Sequence, residues 1–214
     1  MWKGTFKVMI ASAIYFAVHS ALANDHTKGL AADLFGVRNV NGFYRPFYLL
    51  QGLLLLGLLV VYIRRQPGRD LYHVEGGWKW LLRAGQLVGL LLLAWAAFSV
   101  GLTHLTGSES LLAWWQGAFE VPRMPDGQEP SPTRDGSMRT TGPLGYSRHP
   151  LNWSLLLLFW LNPRMTTRLL AFNIVMTAYV FLGSLHAEMH MIYFYGDSYL
   201  EYQARVPFFA RGMW

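Results

Sequence analysis

The chain has 214 residues, of which 53% are hydrophobic and only 14% charged, with a formal net charge of +6. A soluble domain carries about a quarter charged residues, so the composition excludes an ordinary soluble globule and points to a membrane protein. With no cysteine, a disulfide framework, a thiolate metal site and a cysteine nucleophile are excluded as well. The cations lie in the loops and form no compact basic stripe with interleaved aromatics. That suits a lipid bilayer with anionic headgroups as partner and gives no reason to expect a nucleic acid.

In chain order, Val8 to Ala23 is the first apolar stretch, close to the roughly 20 residues that cross a hydrocarbon core. Lys3, Lys7 and the small residues Ala21-Leu22-Ala23 also fit a cleavable signal, but His19 is foreign to a signal core and the rest of the chain is itself polytopic. Pro46 to Ile63 and Ala84 to Thr103 are the second and third stretches, joined by a basic segment from Arg64 to Lys79. Ser108 to Phe119, with Trp114 and Trp115, is expected along the interface, where indole rings settle. Glu120 to Thr141 is rich in Pro, Gly and Ser and lacks apolar periodicity, which predicts a polar loop. Leu151 to Leu161 is apolar but short for a span, and Asn162-Pro163 stops it; Leu169 to Leu185 follows. The expectation is an all-α polytopic membrane protein of about five hydrophobic helices. The last two form a hairpin around Asn162-Pro163-Arg164, followed by a polar, aromatic C-terminal tail. A single membrane domain then divides into a three-helix region over 1–118, a polar loop over 119–141, and the hairpin and tail over 142–214. With five spans the lysines and arginines fall nine on each side, and only the short second loop favours an inward N-terminus.

Ionisable residues in or against apolar helices are costly in lipid and so mark candidate functional positions. They are His19, His104, Arg148, His149, His186, Glu188 and His190. Plain alternatives exist for each kind. Arg148 can snorkel to phosphates, His149-Pro150 can simply start a helix, and His19 can be a packed, hydrogen-bonded core residue. Tyr193, Tyr195, Tyr199 and Tyr202 can form an interfacial belt. In "HAEMH", His186 and His190 share a helix face, whereas Glu188 lies about 200° around the axis from each. Either the histidines or Glu188 therefore face inward, not both. A zinc peptidase would need its glutamate where Ala187 stands, so no metal is expected.

Gly142-Pro143, Tyr146, Arg148-His149-Pro150, a helical hairpin, Glu188, then Gly196, Tyr199, Tyr202 and Val206-Pro207 form a pattern over about a third of the chain. It resembles the membrane methyltransferase superfamily of isoprenylcysteine carboxyl methyltransferases and phospholipid N-methyltransferases. "VHSALA", "YRPFYLLQGLLLL" and "GLTHLTG" in the first half look like the NnrU, nurim and methanethiol S-methyltransferase branch, which makes His19 part of a retained first span. The resemblance implies an S-adenosyl-L-methionine pocket at the cytosolic face of a bacterial inner membrane, and a small thiol or lipid-like methyl acceptor. Arg148, His149 and Glu188 would be its catalytic and polar-end residues. Tyr146, Pro150, Asn152, Tyr199 and Tyr202 would complete the cofactor wall. Three positions depart from the family pattern: Asn152 stands for a tyrosine, Ser154 for a glycine and Ala187 for one of two glutamates. The same branch implies two alternatives, a haem b held by His19 and His149 or a non-catalytic membrane protein of the nurim type. A cytosolic site would put the N-terminus outside.

Overall fold

The computed structural model describes residues 2–118, 121, 138 and 140–209. Most of the expected polar loop over 119–141 lies outside the described residues, as do four of the eighteen lysines and arginines weighed for orientation, Arg123, Arg134, Arg139 and Arg211. The described chain is nearly all helix: α1 (Trp2–Ala23), α2 (Asp25–Phe35), α3 (Val37–Arg65), strand β1 (Asp70–His73), α4 (Gly76–Val100), α5 (Leu102–Thr106) and α6 (Ser108–Trp115) come first. A 3-10 turn (Gly142–Gly145), α7 (Pro150–Trp160), strand β2 (Arg164–Thr166), α8 (Thr167–Tyr195) and α9 (Asp197–Arg205) complete it.

Helices α1, α3, α4 and α8 are long and apolar enough to cross a membrane, so the chain is an all-α, polytopic integral membrane protein. The fifth apolar helix, α7, has 11 residues and is about 16 Å long, against about 43 Å for the 29 residues of α8. The turn at Asn162-Pro163-Arg164 joins them as expected, but they are not each other's main partners. Helix α7 packs chiefly on α4 and α8 chiefly on α1. A Cβ added at Gly89 of α4 would fall 3.1 Å from Leu157 Cβ and 3.2 Å from the Ser154 carbonyl. A small residue there lets the backbones of α4 and α7 approach, the usual device for helix packing in lipid. Val8, Leu59, Leu156, Ala171, Phe172, Met176, Val180 and Phe209 form the main core.

Three features differ from the sequence expectation. Helix α2 stands outside the apolar stretches because its residues bury nothing fully and are, taken together, weakly hydrophobic; the Asn24 side chain starts it by accepting the His26 amide at 2.8 Å. Helix α3 begins at Val37, ahead of Pro46, because Arg38 ties its first turn to the end of α6. Its Nε and Nη2 donate to the carbonyls of Ala118 (3.0 Å) and Trp114 (2.9 Å), and the guanidinium lies over the Trp114 ring. Trp114 is thus anchored to α3, while Trp115 stays exposed as an interfacial residue would. Finally, β1 and β2 pair antiparallel, Asp70 opposite Thr166 and His73 opposite Arg164. This small ribbon clamps the α3–α4 and α7–α8 turns together at the end of the bundle where α1 starts. Helices α2, α5, α6 and α9 gather at the opposite end.

Candidate functional site

That opposite end holds the polar cluster. Because α7 is short, its start at Pro150 lies beside Glu188, seven residues before the end of α8, so it is sunk about 10 Å below that end. His149 occupies the N-cap position of α7 and Pro150 its first turn, where a missing amide costs nothing. The preceding residue, Arg148, points across to α8, and its Nε donates to Glu188 Oε1 at 2.5 Å. His149 Nε2 lies 3.1 Å from the same oxygen, and Gln203 Nε2 donates to Oε2 at 2.9 Å. The side chains of Arg148, His149 and Glu188 are only 12%, 9% and 10% exposed.

Arg148 also holds the C-terminal tail. Its Nη1 donates to the carbonyls of Gln203 (3.1 Å) and Val206 (2.6 Å), and its amide to Pro207 O at 3.0 Å. Ser147 Oγ reaches Phe208 O, and the Phe208 ring lies against both His149 and the Arg148 guanidinium. Tyr202 is buried and donates to Leu144 O at 2.6 Å; burial pushes its phenol well above the usual range. Tyr199 packs against it, with Met191 and Val206 alongside. Both tyrosines are therefore wall residues of the cluster, whereas Tyr193 is exposed.

The choice posed by "HAEMH" is resolved: Glu188 faces inward, His186 is exposed, and His190 turns to Asp25 of α2 at 3.3 Å. Asn152 joins α7 to α8 by donating to Ser184 Oγ at 2.8 Å. Ser154 is fully buried, its hydroxyl returned to the Leu151 carbonyl. Tyr146 is not drawn into the cluster; it is 67% exposed and lies against Trp95. His104 is buried in α5.

His19 and His149 are not brought together. His19 stacks on Tyr48, with Nε2 2.7 Å from the Tyr48 hydroxyl, while the Nε2 of His149 is taken by Glu188. The two rings have no neighbour in common among these contacts, so the residues present do not fit a haem held between them. Gln203, Ser147 and Phe208 were missed from sequence. Helical spacing holds a signal for the first, since Gln203 lies on the face of α9 that carries Tyr199, Tyr202 and, one turn on, Val206.

Chemically, the cluster presents a carboxylate and a guanidinium side by side in an apolar setting. Among the described residues, Arg148 commits Nε and Nη1, which leaves its Nη2 edge for an incoming carboxylate, and Glu188 can exchange a donor for an ammonium group. This donor set fits an α-amino acid moiety, such as the methionyl end of S-adenosyl-L-methionine. The fold and site together define a helical membrane protein with a sunken, zwitterion-compatible polar cluster at one end.

Sequence comparison points in the same direction. The chain is 34% identical over 165 residues to methanethiol S-methyltransferase 2 of Bradyrhizobium diazoefficiens, covering 76% of this chain and 58% of that protein. It is 36% identical over 90 residues to the methanethiol S-methyltransferase of Pseudomonas deceptionensis, covering 41% and 34% respectively. The chain thus spans between about a third and three fifths of the length of these two curated relatives. These similarities support the membrane methyltransferase branch. No family profile matches the chain, and no solved structure does.

Proposed function

We propose that the protein is an S-adenosyl-L-methionine-dependent membrane methyltransferase acting on a small thiol. The single observation that carries this is the Glu188 carboxylate held by Arg148, His149 and Gln203 at the sunken start of α7. The names of the relatives support the thiol as acceptor. When bound, the cofactor supplies a methyl group on a positively charged sulfur. Arg148 Nη2 would bind its carboxylate and Glu188 its ammonium, with Gln203 and His149 fixing the Glu188 rotamer. Tyr199, Tyr202 and Phe208 would wall the site and keep water out, which favours an in-line displacement whose barrier is set largely by positioning. A thiol must lose its proton before its sulfur attacks; with Nε2 donating to Glu188, His149 would take that proton at Nδ1. A small or amphiphilic thiol can arrive through the bilayer, so no broad aqueous cleft is needed. The site end would face the cytosol of a bacterial inner membrane, since a charged cofactor does not cross lipid.

The test is cofactor binding by calorimetry on purified protein in detergent, beside production of a methyl thioether from a small thiol. Wild-type protein should bind and turn over, and Glu188→Gln should weaken binding by at least about tenfold, as expected for a lost charge-assisted contact. Equal affinity in Glu188→Gln and His149→Ala overturns the assignment.

A further inference from the structure

The other end of the bundle carries a second built feature, unconnected with the cluster around Glu188. Three helix ends meet at the turn that follows α3. A Cβ added at Gly4 of α1 would come within 2.7 Å of the Pro67 carbonyl, and one at Gly68 within 3.2 Å of the Arg168 side chain. These two close approaches press the start of α1 and the start of α8 against the same turn. Arg168 Nη1 then donates to the carbonyls of Arg64 (3.0 Å) and Gln66 (2.9 Å), capping the end of α3. Lys3 and Lys7 on α1, Arg64 and Arg65 on α3, and Arg168 on α8 are thereby gathered on one rim; all but half-buried Arg168 are exposed.

Among the described residues, no compensating acid stands with them. By the chain's path, the described acids at this end are Asp70 and Glu75. Asp70 is taken by Arg164 on the ribbon, with Oδ1 and Oδ2 each 2.9 Å from the guanidinium. Glu75 lies beside His73 at 3.9 Å. Among the described residues, Lys3, Lys7, Arg64 and Arg65 have no ion-pair partner. Trp78 and Trp80, at the start of α4, are 72% and 71% exposed at the same end, the placement of indoles at the headgroup level. Uncompensated cations and exposed indoles at one membrane boundary are what a phosphodiester surface recognises.

We propose that the rim formed by Lys3, Lys7, Arg64, Arg65 and Arg168 is a binding site for the headgroup of an anionic phospholipid. The cations neutralise the phosphate charge, and the indoles of α4 fix the depth of the boundary. The rim serves in either leaflet, because an anionic headgroup is met on both faces of a membrane, and it does not depend on the methyltransferase assignment.

The test titrates the full-length protein in detergent micelles with phosphatidylglycerol or phosphatidylcholine of the same chain length, reading bound lipid by native mass spectrometry. Wild-type protein should prefer phosphatidylglycerol by at least about tenfold at low salt, given the attraction expected per surface cation. The triple variant Lys7→Gln, Arg64→Gln, Arg65→Gln should lose most of that preference. The variant Lys28→Gln, Arg205→Gln at the opposite end should keep it. Equal binding of the two lipids, or an unchanged preference in the triple variant, overturns the proposal. So does inorganic phosphate displacing phosphatidylglycerol at equal concentration, since the rim would then be a site for free anions. A triple variant that binds phosphatidylcholine as wild type does shows that the fold is intact and leaves the charge as the cause.

Discussion

The two ends of the bundle each join an arginine to a carboxylate, and the two pairs behave differently because of where they lie. Arg164 and Asp70 make a two-pronged contact on the ribbon with side chains 61% and 47% exposed. Arg148 and Glu188 meet through one nitrogen and one oxygen, but at 12% and 10% exposure, with a histidine, a glutamine and backbone carbonyls completing the shell. By geometry alone the first pair is the better one. Water screens it, however, and an exposed pair of that kind contributes little. The second has given up its hydration, so each partner depends on the other and on whatever polar group can replace it. Burial, rather than pairing, makes a candidate site of one and a clasp of the other.

Removing a partner at each end breaks or sharpens this contrast. Glu188→Ala leaves the Arg148 charge buried without its anion and should cost about 3 kcal/mol or more of unfolding free energy, as breaking a buried pair does. Reversible unfolding in mixed micelles, followed by circular dichroism, measures it. A loss no larger than that of Asp70→Asn would erase the distinction between the ends.

Tyr202→Phe, at the wall of the buried cluster, should cost about 1–2 kcal/mol through the unpaired Leu144 carbonyl. The same tyrosine gives a pH dependence. Burial raises its folded pKa, so its contribution is full below the unfolded value of about 10 and is lost as the pH rises beyond it, where the unfolded chain ionises first. An alkaline stability loss that is smaller in Tyr202→Phe supports the assignment, and identical alkaline profiles contradict it.

The smallest effect belongs to the ribbon. Hydrogen bonding from Arg164 holds the Asp70 carboxyl below its usual range. Its contribution is present above the unfolded pKa of about 4 and fades as the pH falls through the lower folded value. Asp70→Asn should leave the neutral-pH unfolding midpoint nearly unchanged and flatten the acid limb slightly. A marked drop at neutral pH would show that the ribbon carries structural load despite its exposure.

Much of this was legible from residues close in sequence. The spans follow from hydropathy, and the turn at Asn162-Pro163 follows from a helix breaker between apolar runs. The opposition of Glu188 to His186 and His190 follows from the 100° step of a helix. The pairing of Arg148-His149 with Glu188 came through resemblance rather than spacing, and it is the contact the fold makes. Less legible were α2, a short and weakly hydrophobic helix started by a capping asparagine, and the early start of α3, where Arg38 outweighs Pro46. Tyr146 lies near Arg148 in the chain, yet the 3-10 turn sends it outward to Trp95.

The sequence by itself determined that this is a helical membrane protein, where its long helices run, and that Glu188 and the two histidines beside it face opposite ways. Those properties depend on composition and on periodicity within a few turns. Only the tertiary structure decided that Glu188 rather than the histidines faces inward, that Gln203 holds its second oxygen, and that α7 packs more extensively on α4 than on its hairpin partner. It alone gathered Lys3, Lys7, Arg64, Arg65 and Arg168 at one turn. Each of these depends on residues far apart in the chain, brought together by the way apolar helices with small residues at their crossings fit side by side.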